Sequence, residues 1–170
     1  VHYSRSEREA QATVADIIAL GQRAVALQCD LADEAAVQTL LSRAAAQLGP
    51  VSCVINNASL FDYDSAADFS GATLDAHMHT NLVAPVLLAQ ALHQATPEGA
   101  QAVVVNLLDQ KLFNLNPDFL SYTLSKAALQ TATTMLAQAL APRVRVVGVA
   151  PGITLVSGDQ SEAEFERAHK

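Results

Sequence analysis

Short apolar runs alternate along the chain with longer segments in which apolar residues recur every three or four positions. Most of the short runs are rich in Val, Ile and Leu, which favours β-strands, and they lie at 1–4, 24–29, 51–55, 102–107 and 144–149. The longer segments predict helices from Ser6 to a turn at Gly21, from a turn at Asp30 to Gly49, and over 72–95, 119–140 and onward from Ser161. The pattern is therefore an alternation of strands and helices.

Elements that alternate in this way are typical of an α/β protein with a parallel, doubly wound sheet. The run at 102–107 is almost wholly apolar, as expected when helices cover both faces of a sheet. Ser6 and Glu9 have the spacing of a capping box at the start of the first helix, and Gly21 suits a left-handed residue after its last turn. Ligands of such sheets bind where the strands end, so residues that follow strands are the candidates for chemistry.

The composition favours one globular domain and argues against several kinds of partner. Of 170 residues, 51% are hydrophobic, which is ample for a core, and we interpret 1–170 as a single domain. The 17 acidic and 10 basic residues give a net charge of −7, which argues against nucleic acids and anionic membranes as partners. No apolar stretch is long enough to span a membrane and no signal peptide opens the sequence, so we expect a cytoplasmic protein. Cys29 and Cys53 lie in apolar runs and are expected to be buried free thiols.

Tyr122 and Lys126 lie four residues apart, which places a phenol and an ammonium group on one face of the predicted helix. A tyrosine titrates at about pH 10, and a nearby cation lowers that pKa toward the working range. Such a pair can protonate a carbonyl or an imine as a hydride arrives. The spacing alone also fits a solvated pair on a surface helix, so the surrounding motifs decide between the two interpretations.

Three further motifs follow other predicted strands: Asn56-Asn57-Ala58-Ser59, Asp109 and Pro151-Gly152. Together with Tyr122-x-x-x-Lys126 they resemble, over nearly the whole length, the short-chain dehydrogenase/reductase family. Its motifs are Asn-Asn-Ala-Gly, Tyr-x-x-x-Lys and a Pro-Gly after the sixth strand. The resemblance implies a Rossmann-like fold, a nicotinamide cofactor, a small-molecule substrate and a homo-oligomer, in this family a tetramer.

The resemblance also implies roles for matching positions. Tyr122 would be the catalytic acid, Lys126 would bind the nicotinamide ribose and tune Tyr122, and Asn81 would hold a water in a proton relay. An amide satisfied by backbone groups inside the helix is the alternative for Asn81. The other matches would border the cofactor: Asp30 and Leu31 at the adenine, Asn57, Ala58 and Ser59 along the adenosine side, and Pro151, Gly152, Ile153 and Thr154 near the nicotinamide amide and the phosphates.

Two departures from the family pattern are found in its pteridine reductase branch. Asp109 stands where the family usually has serine, and Ser59 replaces the last glycine of Asn-Asn-Ala-Gly. In that branch an aspartate, a tyrosine and a lysine form the catalytic set, and a phenylalanine that matches Phe61 stacks on the pterin. A carboxylate can pair with an amino-pyrimidine edge, so Asp109 and Phe61 are the candidate substrate-binding residues. An ordinary loop hydrophobe is an equal alternative for Phe61, and a ketone such as a 3-oxoacyl thioester is the alternative substrate.

The residues after the first predicted strand favour NADP(H) over NAD. An NAD enzyme of this fold tends to have an acidic residue there, and none is present in 2–6. Arg5 offers a cationic fork, and Ser6 opens a helix whose N-terminal amides favour a phosphate. Both residues therefore suit the 2′-phosphate of NADP(H).

The family's N-terminal strand and its Gly-x-x-x-Gly-x-Gly turn match no part of this sequence. We expect a longer protein in which that strand lies at the centre of the sheet. His77 and His79 do not share a helical face, which argues against a metal site, and both are expected at the surface. A non-catalytic NADP-binding protein of the same fold is a further alternative. The joint presence of four residues argues against it: Asp109, Tyr122, Lys126 and Asn81.

Overall fold

The computed structural model describes residues 1–152 together with 154, 161, 163 and 166. Its strands are β1 (His2–Tyr3), β2 (Leu27–Gln28), β3 (Cys53–Asn56), β4 (Ala102–Leu107) and β5 (Val144–Val149). Its helices are α1 (Glu7–Ala19), α2 (Glu34–Leu48), α3 (Gly71–Met78), α4 (Ala84–Ala95) and α5 (Leu120–Leu140), with a π-helical turn at His79–Val83 and a 3₁₀ turn at Gln110–Phe113. The helix predicted onward from Ser161 falls largely outside the described residues.

The strands form two parallel sheets. β1 pairs with β2, and β4 lies between β3 and β5, with Asn56 beside Asn106 and Leu107 beside Val149 at the carboxyl ends. Parallel strands joined by helical crossovers confirm the predicted Rossmann-like α/β fold. A cavity of about 430 Å³ separates the two sheets and is lined by residues of both, among them Leu27 and Val54. Within the described residues, β1 and β3 are therefore each paired on one side only.

The core lies where the helices cover the sheets. Four of its side chains are essentially inaccessible to solvent: Val37 of α2, Leu92 of α4, Val104 of β4 and Val144 of β5. Full burial of a Val or Leu side chain contributes roughly 1.5–3 kcal/mol, so this cluster fixes α2 and α4 against the sheet. Among the described residues, no helix is both long and apolar enough to cross a membrane.

Several element bounds differ from those predicted. β4 and β5 match their predictions, whereas β1 and β2 are only two residues long and shorter than predicted. The long helix predicted over 72–95 is interrupted by the π-helical turn at His79–Val83, a local change that hydrophobic periodicity does not reveal. Gly21 has a φ of 77°, which confirms the left-handed residue predicted after α1.

The capping box predicted for α1 is wrong. Ser6 stands at the N-cap position, but its side chain makes no capping hydrogen bond, and Glu9 instead contacts Arg8 at 3.3 Å. The backbone of Ser6 has φ −86° and ψ 61° rather than the extended conformation that most capping residues adopt. The Ser6 hydroxyl is therefore not used to cap the helix.

The two cysteines have different surroundings. Cys29 is buried as expected, and burial raises the pKa of its thiol. Cys53 of β3 is exposed in the described chain, contrary to the expectation. Both cysteines are free thiols.

Candidate active site

The candidate site lies where β4 and β5 end and α5 begins. Leu108, the first residue after β4, lies beside the end of β5, and its amide donates to the carbonyl of Val149 at 2.7 Å. Asp109 follows at once, and its Oδ1 accepts the amide of Lys111 at 2.7 Å, which fixes the orientation of the carboxylate. Parallel strands therefore deliver Asp109 to the edge of the sheet at which ligands bind in this fold.

Tyr122, Asp109 and Lys126 come together as the sequence motifs predict. The Tyr122 hydroxyl donates to Asp109 Oδ2 at 2.6 Å, and Lys126 Nζ donates to the carbonyl of Leu107 at 2.7 Å. Lys126 Nζ lies 5.7 Å from the centre of the Tyr122 ring. Tyr122 and Lys126 are only 7% and 3% exposed, which argues against the alternative of a solvated surface pair.

The protonation of this group differs from the expectation drawn from Lys126 alone. Burial raises the pKa of Tyr122 well above its ordinary value, and the hydrogen bond to Asp109 and the charge of that carboxylate add to the rise. Burial lowers the pKa of Lys126, while the charge of Asp109 opposes that shift. In this structure the phenol is therefore held in its protonated form, because burial and Asp109 outweigh the effect expected of the ammonium group.

Asn81 lies in the π-helical turn and is 1% exposed. Its Nδ2 donates to the carbonyl of Leu60 and to Ser125 Oγ, both at 2.9 Å. Its Oδ1 accepts the amide of Leu60 at 2.7 Å and the hydroxyl of Ser59 at 3.2 Å. An amide side chain has two donor hydrogens and two acceptor sites, so all four are used by protein groups here. The amide thus fastens the segment after β3 to α5, and the relay water expected at Asn81 stays a prediction.

Three aromatic rings stand beside Tyr122 and are called the aromatic wall below: Phe61, Tyr63 and Phe119. The rings of Phe61 and Phe119 are stacked at 4.3 Å between centroids, and Tyr63 meets Phe119 edge-on at 5.2 Å. Phe61 also meets Tyr122 edge-on at 4.6 Å, yet it remains 52% exposed. A flat ligand that reaches Tyr122 would therefore lie against an exposed aromatic surface.

A separate cleft of about 680 Å³ brings together six of the residues predicted to border the cofactor: Arg5, Ser6, Asp30, Leu31, Ala58 and Ser59. Asn57 lines the neighbouring cavity between the two sheets, which Ala58 also borders. Pro151, Gly152 and Thr154 are exposed and follow β5, so they leave the sheet at the same edge as Asp109. Ile153 lies outside the described residues.

The structure corrects the expectation for one of the two histidines. His79 is exposed as predicted, but His77 is fully buried. Its Nδ1 lies 2.8 Å from the carbonyl of Thr73, and its Nε2 accepts the amide of Asp62 at 3.2 Å. Both ring nitrogens are satisfied, which is why a histidine can be buried here. In the part of the chain that the structure describes, no group of three or more His, Cys, Asp or Glu side chains is placed to hold a metal ion.

Sequence reasoning missed Tyr63, Phe119, Lys111 and Asp64. Phe119 precedes Tyr122 by three residues, so helical spacing could have placed it near the site. Tyr63 follows Phe61 at the spacing of alternating residues, which is a weaker signal in a loop. Lys111 Nζ lies 5.5 Å from the centre of the Phe119 ring, a contact made across a turn. Asp64 is 4% exposed and reaches α5, a contact that no local pattern reveals.

Comparison with known proteins decides the family. A family model described as short chain dehydrogenase matches residues 1–167. The chain belongs to the short-chain dehydrogenase family. The resemblance drawn from the motifs at Asn57, Tyr122 and Pro151 is thereby confirmed.

Solved members of the short-chain dehydrogenase family share this fold closely. FolM alternative dihydrofolate reductase 1 from Brucella canis, complexed with NADP, has 44% sequence identity and a TM-score of 0.91 over 98% of this chain and 66% of its own. A short chain dehydrogenase from Burkholderia cenocepacia in complex with NADP has 33% identity and a TM-score of 0.86 over 99% of this chain and 68% of its own. The FolM similarity agrees with the pteridine reductase branch indicated by Asp109 and Ser59.

A curated relative in the family is more distant. The 2-dehydro-3-deoxy-D-gluconate 5-dehydrogenase of Dickeya dadantii is 27% identical over 89% of this chain. The chain spans 61% of the length of that relative. The activity, substrate and partners of the whole protein are therefore treated as proposals.

Proposed function

We propose that the protein is an NADPH-dependent reductase of a dihydropterin-type substrate, with Tyr122 as the proton donor. The observation that carries this proposal is the 2.6 Å hydrogen bond from Tyr122 to Asp109 beside the exposed ring of Phe61. The Brucella proteins of similar structure are named alternative dihydrofolate reductases, and dihydrofolate contains a dihydropterin ring. A carboxylate beside a ketone would oppose the negative charge that develops on its oxygen, so Asp109 favours the pterin.

The substrate contacts follow from the chemistry of Asp109 and Phe61. An ionised carboxylate has about four acceptor sites, and protein groups use two of those of Asp109, from Lys111 and Tyr122. The remaining sites suit the amino and ring N–H groups of a pterin. The exposed ring of Phe61 fixes the plane of the pterin by stacking.

Proton donation uses the arrangement of Tyr122 and Lys126. When bound, NADPH supplies the hydride. In the proposed step the Tyr122 hydroxyl turns from Asp109 to the substrate and gives its one proton to the imine nitrogen. The Lys126 ammonium group, 5.7 Å from the ring centre, then offsets the repulsion between the phenolate and the Asp109 carboxylate. The Lys126 ammonium group has three donor hydrogens. One is donated to the carbonyl of Leu107, and the other two are proposed to bind the nicotinamide ribose.

The cleft at the start of α1 fits the adenosine end of NADP. Arg5 and Ser6 line it, and the Ser6 hydroxyl makes no capping hydrogen bond, so it can donate to a 2′-phosphate. Asp30 and Leu31 border the same cleft, and the proposal assigns them to the adenine. The Brucella canis and Burkholderia cenocepacia structures contain NADP, which supports the same cofactor here.

A homo-oligomer is part of the proposal. α4, α5 and the turn before α4 share an apolar surface that includes Val86, Leu87, Ala128 and Met135. Met135 is 64% exposed, which is unfavourable for a large apolar side chain in a monomer. A second copy of the chain is the partner that would cover this surface, and light scattering of the whole protein measures its oligomeric state.

The proposed activity is tested by following NADPH oxidation with a dihydropterin and identifying the product by mass spectrometry. The proposal expects NADPH consumption and tetrahydropterin formation in equal amounts. NADPH consumption that does not depend on the pterin, or none at all, would contradict it.

A further inference from the structure

The segment from Leu60 to Asp64 is held at alternate residues. Asn81 binds the amide and carbonyl of Leu60, and His77 Nε2 accepts the amide of Asp62. The residues between these anchors are Phe61 and Tyr63, whose rings join the aromatic wall. The anchors thus hold the segment on one side, while its aromatic side chains face Phe119 and Tyr122.

Asp64 provides the last of these anchors and contacts α5. Its Oδ1 accepts the amide of Ser121 at 2.9 Å, and its Oδ2 accepts the hydroxyl of Ser121. Its backbone carbonyl accepts the amide of Leu120 at 3.2 Å. The side chain is 4% exposed, so these hydrogen bonds compensate for the removal of a carboxylate from water.

α5 has no side-chain cap of its own. Its N-cap residue is Phe119, which has a left-handed backbone with φ 55° and a side chain without an acceptor atom. The first amides of a helix have no partners within the helix, and a negative charge near them is favourable. Asp64 supplies that acceptor and that charge from a segment 57 residues earlier in the chain.

The first turn of α5, which Asp64 caps, contains the proposed proton donor Tyr122. Ser121 is followed directly by Tyr122, and Phe119 holds the stacked ring of Phe61. We infer that Asp64 is a positioning residue that fixes the first turn of α5, and thereby the Tyr122 hydroxyl, against Asp109 and the aromatic wall. Its kinetic consequence rests on the proposed function, whereas its structural consequence for Tyr122 does not.

Asp64→Ala in the whole protein tests this role, with Asp68→Ala as the matched control. Asp68, four residues after Asp64, accepts the amide and the hydroxyl of Ser65, but it is exposed and makes no hydrogen bond to α5 among the described residues. We expect Asp64→Ala to lower kcat about tenfold or more while the Kd for NADPH changes by less than about twofold. Asp64→Asn should recover most of the kcat, because its amide oxygen can still accept the Ser121 amide. Asp68→Ala should match the unmodified protein.

A readout without substrate separates this inference from the proposed activity. The phenol of Tyr122 can be titrated by NMR of ¹³C-labelled tyrosine, and Tyr122→Phe identifies its signal among the three tyrosines. Burial is the main reason for its raised pKa, so a loosened first turn in Asp64→Ala should move that titration to lower pH. If the unmodified protein reduces no dihydropterin, the proposed function fails, and the titration still decides on Asp64.

Two outcomes would overturn the inference. One is an Asp64→Ala protein with unmodified kcat and an unmodified Tyr122 titration. The other is an equal loss of kcat in Asp68→Ala. If Asp64→Ala does not fold, Ser121→Ala serves instead, because it removes only the hydroxyl donor, and we expect its kcat to fall about threefold. An unmodified kcat together with an unshifted phenol titration in Ser121→Ala would then contradict the role of Asp64.

Discussion

The Tyr122 hydroxyl donates a 2.6 Å hydrogen bond to Asp109, a carboxylate that a backbone amide already holds in place. The phenol is buried, and its pKa is raised rather than lowered. A phenol with a raised pKa is fully protonated at neutral pH. The acceptor sites of Asp109 that Tyr122 and Lys111 do not use are available to a polar substrate.

Removal of the Tyr122 hydroxyl should abolish most of the turnover. We expect Tyr122→Phe to lower kcat by about two orders of magnitude or more and to leave the affinity for NADPH nearly unchanged. Steady-state kinetics and NADPH fluorescence titration measure these two quantities. A Tyr122→Phe protein that retains most of its kcat would show that the proton comes from another group.

The pH dependence should reflect the raised pKa of Tyr122. Its ordinary pKa is about 10, and the folded protein holds it higher, so the protonated phenol stabilises the fold below about pH 10, and this contribution is lost as pH rises through the folded pKa. The alkaline fall of kcat should therefore lie above about pH 10 where Tyr122 controls it.

Asp109→Asn tests the cause of that shift. The substitution removes the negative charge that adds to the effect of burial, so the Tyr122 titration should move to lower pH. The ¹³C-tyrosine titration measures this directly. No shift would mean that burial alone sets the pKa of Tyr122, and a shift to higher pH would contradict the contribution assigned to the Asp109 charge.

The parts of this structure that local sequence determines were predictable. β4 and β5 were predicted with the correct bounds, because valine makes up at least half of each run and favours strands. Tyr122 and Lys126 share a helical face, and Asp109 follows a strand, so the topology alone brings them to one edge. The proximity of these three side chains could therefore be predicted from the sequence.

The remainder depends on contacts between residues far apart in the chain. Asp64 reads as one of several polar loop residues, and only the packed structure brings it to Ser121. His77 is buried because Asp62, fifteen residues away, satisfies its ring. The spacing of Ser6 and Glu9 fits a capping box, but the backbone at Ser6 is not extended and its side chain makes no capping hydrogen bond. Local patterns cannot distinguish these cases, since the deciding partner is not local.

Cofactor preference should depend on Arg5. We expect the unmodified protein to prefer NADPH to NADH in kcat/KM, and Arg5→Asp to reduce that preference about tenfold or more by repelling the 2′-phosphate. Arg8→Asp makes the same charge change one turn away, outside the cleft, and serves as the control. Equal kcat/KM for both cofactors in the unmodified protein would contradict this account.

The ring of Phe61 should contribute to pterin binding. Phe61→Leu keeps an apolar side chain but removes the aromatic stack, so the KM for a dihydropterin should rise between about twofold and tenfold. Phe69→Leu is the control, since Phe69 is exposed and lies outside the aromatic wall. An unchanged KM in Phe61→Leu would contradict stacking of the pterin on Phe61 and would favour the alternative of an ordinary hydrophobic loop residue.

The central claim is that Asp109 selects a dihydropterin over a ketone. Initial rates with NADPH on dihydrobiopterin and on an acetoacetyl thioester, run side by side for the unmodified protein and for Asp109→Ser, test it most directly. The account predicts that the unmodified protein reduces the pterin, and that Asp109→Ser lowers pterin turnover about tenfold more than thioester turnover, because serine cannot replace the carboxylate as acceptor for the amino edge. Strong activity of the unmodified protein on the thioester with none on the pterin would contradict it.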